Sequence, residues 1–136
     1  MTRVLIVDDD RVIRQLLVCA LEYEGYSITT LTDGTQVLAT LAALAEPCIV
    51  LMDLMMPRMD GWAVCRALAA EPLLLARHAL VLMSAAPLYE RALPAEACAF
   101  VRKPFDLDAL YRILAALSAA PLAAPAAASA VAPALG

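Results

Sequence analysis

Aspartates stand directly after two apolar runs of the chain, where they could bind a metal ion. Asp8 and Asp9 follow the run Arg3–Val7, and Asp53 follows the run Ile49–Met52. Carboxylates held close together repel one another strongly unless a cation joins them or they take up protons. Oxygen ligands with room for water are the coordination that Mg²⁺ prefers. The three aspartates therefore predict a magnesium site, whereas the alternative interpretation is that such acids only cap helices or lie on solvated loops.

A hydroxyl and an ammonium group end two later apolar runs. Ser84 follows Ala79–Met83, and Lys103 follows Ala99–Arg102. Lys103 is the sole lysine of the chain, against nine arginines. An ammonium is a compact point charge that suits a developing phosphoryl anion, although a lone surface lysine is the plainer interpretation of Lys103 by itself. We expect a cis peptide bond before Pro104, since a tight turn is needed to aim the lysine inward.

Strands and helices alternate along the chain and must position these side chains. Short apolar runs predict strands at 3–7, 27–31, 49–52, 79–83 and 99–102. Helical spacing predicts helices from residue 11 to near 25, at 36–45, at 61–70 and from 107 to about 118, with Asp10 and Asp106 as N-caps. Alternating apolar strands and helices indicate an α/β fold with a five-stranded, doubly wound parallel sheet. Ligands of such sheets bind at the carboxyl ends of the strands, so all five polar residues should converge on one edge.

Two finer predictions concern burial. The spacing of apolar residues in the first helix predicts a buried face made of Val12, Ile13, Leu16, Leu17 and Ala20. The single histidine, His78, has no ligand-type neighbours in sequence and is expected on the surface or in a loop.

Composition and charge exclude several classes of protein. The 136 residues suffice for one ordinary domain, and 63% of them are hydrophobic. The span 113–136 is long enough to cross a bilayer, but it is mostly alanine and contains three prolines, so no membrane insertion is expected. No signal peptide is expected either, because Asp8, Asp9 and Asp10 fall where its apolar core would lie. A net charge of −4 without a cluster of Lys and Arg argues against direct binding of nucleic acid. The expected location is cytoplasmic.

Four motifs, each at a strand end, resemble the signature set of the response-regulator receiver domain, the chemotaxis-receiver fold of two-component signalling. They are Val7–Asp10 (VDDD), Asp53–Gly61 (DLMMPRMDG), Ser84–Ala85 and Lys103–Phe105 (KPF). The resemblance covers residues 2 to about 118. It implies a flavodoxin-like sheet of strand order 2-1-3-4-5.

The resemblance also implies roles for the metal and acceptor residues. Asp53 would be phosphorylated by a phosphohistidine of a histidine kinase or by a small phosphodonor. Asp9 and Asp53 would bind Mg²⁺ directly, Asp8 would help through water, and the backbone carbonyl of Met55 would supply a further ligand.

Further roles follow from the same resemblance. Ser84 would hydrogen-bond a phosphoryl oxygen, Lys103 would pair with it, and Phe100 occupies the place of the family's switch aromatic. The implied partners are a sensor histidine kinase or phosphotransfer protein and an unknown downstream protein; a phosphorylation-dependent homodimer stays open. Such a protein catalyses only its own phosphorylation and dephosphorylation and is otherwise not an enzyme.

Two rival hypotheses differ in the chemistry they need. A haloacid-dehalogenase-type phosphatase also uses an aspartate nucleophile after a strand with Mg²⁺, but it places a second acid two residues later, where this chain has Met55. A receiver that serves only as a scaffold would not need the complete set of acidic pair, acceptor, hydroxyl and lysine.

The domain boundaries are expected at 1–118 for the receiver domain and 119–136 for a flexible tail rich in Ala and Pro. A stand-alone receiver without a DNA-binding domain is favoured, with a fragment of a larger multidomain regulator as the alternative. Between Ser84 and Lys103 the chain contains Pro87 and Pro94. Because proline inside a helix costs about 3 kcal/mol, the helix expected between the last two strands should be shortened or broken at Pro94.

Overall fold

Strands and helices alternate in the computed structural model, which describes residues 2–85 and 94–119. The strands are β1 (Arg3–Val7), β2 (Ser27–Leu31), β3 (Cys48–Asp53), β4 (Ala79–Ser84) and β5 (Ala99–Arg102). The helices are α1 (Arg11–Tyr23), α2 (Val37–Ala43), α3 (Gly61–Ala69), α4 (Pro72–Ala76) and α5 (Leu107–Ala119), and a 3-10 turn at Gly34–Gln36 leads into α2. The short helix α4, which begins at a proline, was not predicted from the sequence.

The five strands form one parallel sheet of order β2-β1-β3-β4-β5, as predicted. Val7 is paired with Met52, so β1 and β3 end side by side. Asp53 is paired with Met83, and Ser84 is paired with Arg102. The register therefore carries the residues that follow β1, β3, β4 and β5 to the same edge of the sheet.

The core lies on both faces of the sheet, because successive side chains of a strand point to opposite faces. In β1, Leu5 and Val7 pack on the face covered by α2 and α3, whereas Val4 and Ile6 pack on the face covered by α1 and α5. All six residues of β3 and all six of β4 are buried. Continuous apolar strands of this kind are what a sheet covered on both sides requires.

The predicted buried face of α1 was partly wrong. Leu17 is fully buried and Ile13 packs beside it, but Val12 is 72% exposed and Leu16 is 45% exposed. Successive helical residues are turned by about 100°, so residues directly before Ile13 and Leu17 fall to the side of the narrow stripe that meets the sheet. Leu21, four residues after Leu17, completes the buried stripe.

Both predicted N-caps are confirmed. The Asp10 carboxylate accepts hydrogen bonds from the backbone N–H groups of Val12 and Ile13, at 2.9 and 3.2 Å. The Asp106 carboxylate accepts from the N–H of Asp108 at 3.0 Å. Each cap satisfies donors of a first helical turn that have no partner within the helix.

The connection between β4 and β5 lies mostly outside the described residues, which omit 86–93, and so does most of the helix predicted to be shortened or broken at Pro94. Residues 94–98, which the structure describes, are not helical. They form a turn in which the N–H of Ala97 donates to the carbonyl of Pro94 at 3.0 Å. The predicted tail, 119–136, also lies outside the described residues except for Ala119, which is the last residue of α5.

His78, expected on the surface or in a loop, does lie in a connection between two elements but is not at the surface. It lies between α4 and β4 and is buried, and its Nδ1 accepts a hydrogen bond from the N–H of Cys48 at 3.0 Å. The imidazole thus supplies the acceptor for the first residue of β3, which requires the neutral ring with its proton on Nε2. Within the described part of the chain, Nε2 has no hydrogen-bond partner. His78 and Cys48 are 30 residues apart, so the local sequence pattern does not predict this hydrogen bond.

The helices within residues 2–85 and 94–119 are short. None of them is long and apolar enough to cross a bilayer.

His78 gives the fold a predictable dependence on pH. Burial, together with the charge of Arg77, lowers the pKa of His78 below its ordinary value of 6.5. The unfolded chain therefore binds a proton more readily than the folded one, so the free energy of unfolding should fall as pH drops from about 7 to about 5. The variant His78→Asn keeps an acceptor for Cys48 but does not titrate. When the free energy of unfolding is measured with urea across this pH range, it should fall less steeply with pH in the variant than in the wild type. An identical dependence on pH would contradict the prediction.

Candidate functional site

Three carboxylates meet at the carboxyl edge of the sheet, as predicted. Asp8 follows β1 and is fully buried, Asp53 is the last residue of β3 and is 6% exposed, and Asp9 is exposed. One carboxylate oxygen from each lies within 4.8 Å of the others. Pairing of β1 with β3 positions two of them, and the turn from β1 into α1 positions the third.

Lys103 joins two of these carboxylates. Its Nζ lies 2.7 Å from Asp8 Oδ2 and 2.9 Å from Asp53 Oδ2. The lysine follows β5, and its backbone N–H donates to the carbonyl of Ser84 at 3.0 Å, which fixes the start of the turn. Burial alone would lower the pKa of Lys103, but hydrogen bonds to Asp8 and Asp53 outweigh it and leave the pKa raised. The ammonium is therefore charged throughout the physiological range.

Asp8 is restrained on every polar atom. Its Oδ1 accepts from the N–H of Asp10 at 2.9 Å, and its own N–H donates to the carbonyl of Leu31 at 3.2 Å. The Arg14 guanidinium donates to the Asp8 carbonyl at 2.7 Å. A buried carboxylate is tolerated only when it is paired and hydrogen-bonded in this way.

Burial also acts on Asp53. It raises the pKa of Asp53, and hydrogen bonds from Lys103 and from the N–H of Met55 oppose this rise. The carboxylate is thus held in a less polar setting than a surface aspartate while keeping a cation in contact.

The residues present fit a divalent cation. Three carboxylates and one ammonium leave an excess of two negative charges within a few ångströms. The donor atoms are all oxygens, and exposed Asp9 leaves one side open to water. This is the hard, oxygen-rich and partly hydrated coordination that suits Mg²⁺.

The loop after β3 returns to the strand that carries Asp53. The N–H of Met55 donates to Asp53 Oδ1 at 3.1 Å, while the Met55 side chain is 60% exposed. The N–H of Gly61 donates to the carbonyl of Leu54 at 2.9 Å. A Cβ at position 61 would lie only 2.7 Å from the Asp53 carbonyl oxygen, so this close approach requires glycine.

The other predicted residues lie where the strands place them. Ser84 ends β4 and is buried at the same edge. Phe100, in β5, is half-buried and packs against the core on the face covered by α2 and α3. The peptide bond between Lys103 and Pro104 is cis, as predicted.

Sequence reasoning missed two arginines near the site. Arg14 holds the carbonyl of Asp8, and Arg58, in the loop after β3, forms an ion pair with Asp33 after β2. The helical spacing of the first helix could have placed Arg14 beside the turn. Asp33 and Arg58 are 25 residues apart and belong to different loops, so sequence pattern gave no signal for their pairing.

The chain is similar to known response regulators. The family model described as "Response regulator receiver domain" matches residues 4–115. The chain is 40% identical over 121 residues to "Response regulator MprA" of Mycobacterium sp. (strain KMS) and 38% identical to the protein of that name in Mycobacterium avium (strain 104). Each alignment covers 85% of this chain and 50% of the relative. The chain thus spans about half the length of these curated relatives.

Solved structures share the fold. A CheY-like receiver domain protein from Methanospirillum hungatei is 32% identical, with a TM-score of 0.71 over 82% of this chain and 90% of its own. The response regulator protein TrrA from Thermotoga maritima, solved in complex with Mg²⁺-BeF, is 29% identical. Its TM-score is 0.73, over 86% of this chain and 99% of its own.

Asp8 and Asp9 should respond differently to loss of charge. Asp8→Asn removes a buried partner of Lys103 and should lower the free energy of unfolding by about 1–3 kcal/mol. Asp9→Asn removes only an exposed repelling charge and should leave stability of the metal-free protein equal or higher by less than about 1 kcal/mol. Urea unfolding in EDTA measures both. Equal destabilisation by the two substitutions would contradict the roles assigned here.

Proposed function

The chain belongs to the response regulator receiver domain family of two-component systems, and on that premise we propose that Asp53 accepts a phosphoryl group. In this proposal the phosphorylated protein then changes its binding to another protein. The observation that supports it best is the pairing of the buried Asp53 carboxylate with Lys103 Nζ at 2.9 Å, beside two further carboxylates. A strand-end carboxylate in contact with a fixed cation is equipped to receive a group that carries negative charge.

The proposed donor is a phosphohistidine of a sensor histidine kinase or phosphotransfer protein, or a small phosphodonor such as acetyl phosphate. A carboxylate oxygen of Asp53 attacks phosphorus, and the bond from phosphorus to the donor's nitrogen or oxygen breaks. The electron pair of that bond leaves with the imidazole or the acetate. The product is a mixed anhydride between Asp53 and phosphate, which water can later hydrolyse.

Catalysis of phosphoryl transfer depends mainly on positioning of the reacting groups and on neutralisation of charge. Lys103 is already oriented towards Asp53 and Asp8, so its ammonium needs little rearrangement to meet an oxygen of the transferred group. Ser84, at the end of the neighbouring strand β4, is proposed to hydrogen-bond a second oxygen. Burial of Asp53 raises the energetic value of these interactions because water screens them less.

Mg²⁺ is the proposed cofactor, and when bound it supplies neutralisation of the phosphoryl oxygens and of the acidic cluster. Asp9 and Asp53 would bind it directly, Asp8 through water, and Met55 through its backbone carbonyl. Asp8 stays fixed by Lys103, Asp10 and Arg14.

The proposed output is a change of partner rather than the chemistry of a further substrate. Phe100 lies on β5 close to Lys103 in sequence and is only half-buried, so it can change its packing when Lys103 changes partner. The protein then catalyses only its own phosphorylation and dephosphorylation. A downstream protein in the cytoplasm binds the altered surface. A second copy of this chain is one such partner, which would give a phosphorylation-dependent homodimer.

The assignment of Asp53 is tested by Asp53→Asn. Incubation with acetyl phosphate and Mg²⁺ should add one phosphoryl group to the wild type by intact mass, and hydroxylamine should remove it. The variant should gain none, because an amide oxygen is not a nucleophile of this kind, and EDTA should prevent labelling of the wild type. Asp106→Asn, which alters an N-cap that Asn serves equally well, is the matched control and should label normally. Hydroxylamine-sensitive phosphate on Asp53→Asn would contradict the assignment.

A further inference from the structure

Arg58 adopts a backbone conformation that its residue type disfavours. Among the residues that the structure describes, it is the only non-glycine residue with a positive φ, at 65°. The Cβ of an L-residue crowds the backbone in this left-handed region, so such residues persist only where surrounding contacts hold them. Arg58 lies in the middle of loop 54–60, which joins Asp53 to α3.

The contact that holds Arg58 is an ion pair with Asp33. Arg58 Nε donates to Asp33 Oδ2 at 2.8 Å, and Nη2 contacts the same oxygen. The other oxygen, Oδ1, accepts from the hydroxyl and the N–H of Thr35 at 2.6 and 2.7 Å. These hydrogen bonds from Thr35 and Arg58 lower the pKa of Asp33 to about 2. Asp33 is therefore buried and charged at neutral pH, whereas the Arg58 side chain is largely exposed.

The backbone joins the same two loops beside this ion pair. The N–H of Gly34 donates to the carbonyl of Met59 at 3.0 Å. A Cβ at position 34 would lie 2.5 Å from that carbonyl oxygen, so only glycine permits the approach. We name the Asp33–Arg58 ion pair and the Gly34–Met59 hydrogen bond together the loop clasp.

We propose that Asp33 and Arg58 are positioning residues for the phosphoryl-transfer site, acting by holding loop 54–60 through the loop clasp. This inference rests on the proposed function, because Met55 in the same loop is the proposed carbonyl ligand of Mg²⁺. The loop is fixed at one end by the hydrogen bond from Met55 to Asp53 and at the other by that from Gly61 to Leu54. The clasp fixes its middle to the loop after β2.

The test separates positioning from stability through Arg58→Gly. Glycine removes the ion pair but adopts a positive φ without strain, and Asp33 keeps its two hydrogen bonds from Thr35, so the unfolding midpoint of the metal-free variant should stay close to that of the wild type. Affinity for Mg²⁺, measured by calorimetry, should nevertheless fall by roughly threefold to tenfold, less than the roughly 10–100-fold typical when a group touching a metal ligand is lost. Asp33→Asn should weaken binding in the same direction. The double variant should lose no more than Arg58→Gly alone, because both changes remove one interaction.

Arg66→Ala is the matched control, since it removes an arginine from α3 that is exposed and forms no ion pair within the described residues. It should bind Mg²⁺ as the wild type does. Wild-type affinity in Arg58→Gly, an equal loss in Arg66→Ala, or a loss that appears only together with a lowered unfolding midpoint would each overturn the positioning role. Failure of the wild type itself to bind Mg²⁺ would instead overturn the proposed function, and the inference with it.

Discussion

The site depends on one ammonium placed between two buried carboxylates. Removing Asp8 and Asp53 from water costs several kcal/mol per charge unless each is paired. Lys103 pairs with both at 2.7 and 2.9 Å, so neither carboxylate is left buried without a partner. One ammonium cannot neutralise three carboxylates, however, and the remaining negative charge is what makes this edge of the sheet a site for a cation.

The topology explains why these groups meet. In a sheet of order β2-β1-β3-β4-β5, β1 and β3 are adjacent, and the helices that leave them turn to opposite faces. The crevice between their carboxyl ends therefore receives Asp8 and Asp53 directly. Lys103 follows the edge strand β5, its backbone N–H donates to the carbonyl of Ser84 on β4, and its Nζ contacts both carboxylates. The strands are apolar and covered on both faces of the sheet, so this edge is held firmly enough for preorganised electrostatics.

Much of this arrangement could be predicted from sequence because it follows from strand ends. The run from Arg3 to Val7 indicated a strand, and the acids after it indicated a site. Parallel pairing of β1 with β3 then placed Asp53 beside them. What could not be predicted depends on contacts across the fold: His78 accepting from Cys48, Arg14 holding the Asp8 carbonyl, and Arg58 meeting Asp33. The exposure of Val12 and Leu16 was missed for another reason, since an apolar helical pattern is wider than the stripe that a flat sheet can cover.

Locating the phosphoryl group in the wild-type protein tests the central claim most directly. After labelling with acetyl phosphate and Mg²⁺, borohydride reduction converts an acyl phosphate of aspartate to homoserine, which peptide mass spectrometry can assign to a position. We predict conversion at Asp53 alone, because it contacts Lys103 and keeps 6% of its surface exposed, whereas Asp8, which also contacts Lys103, is fully buried. Conversion at Asp8, at Asp9 or at another acid, or no conversion in a folded protein, would contradict it.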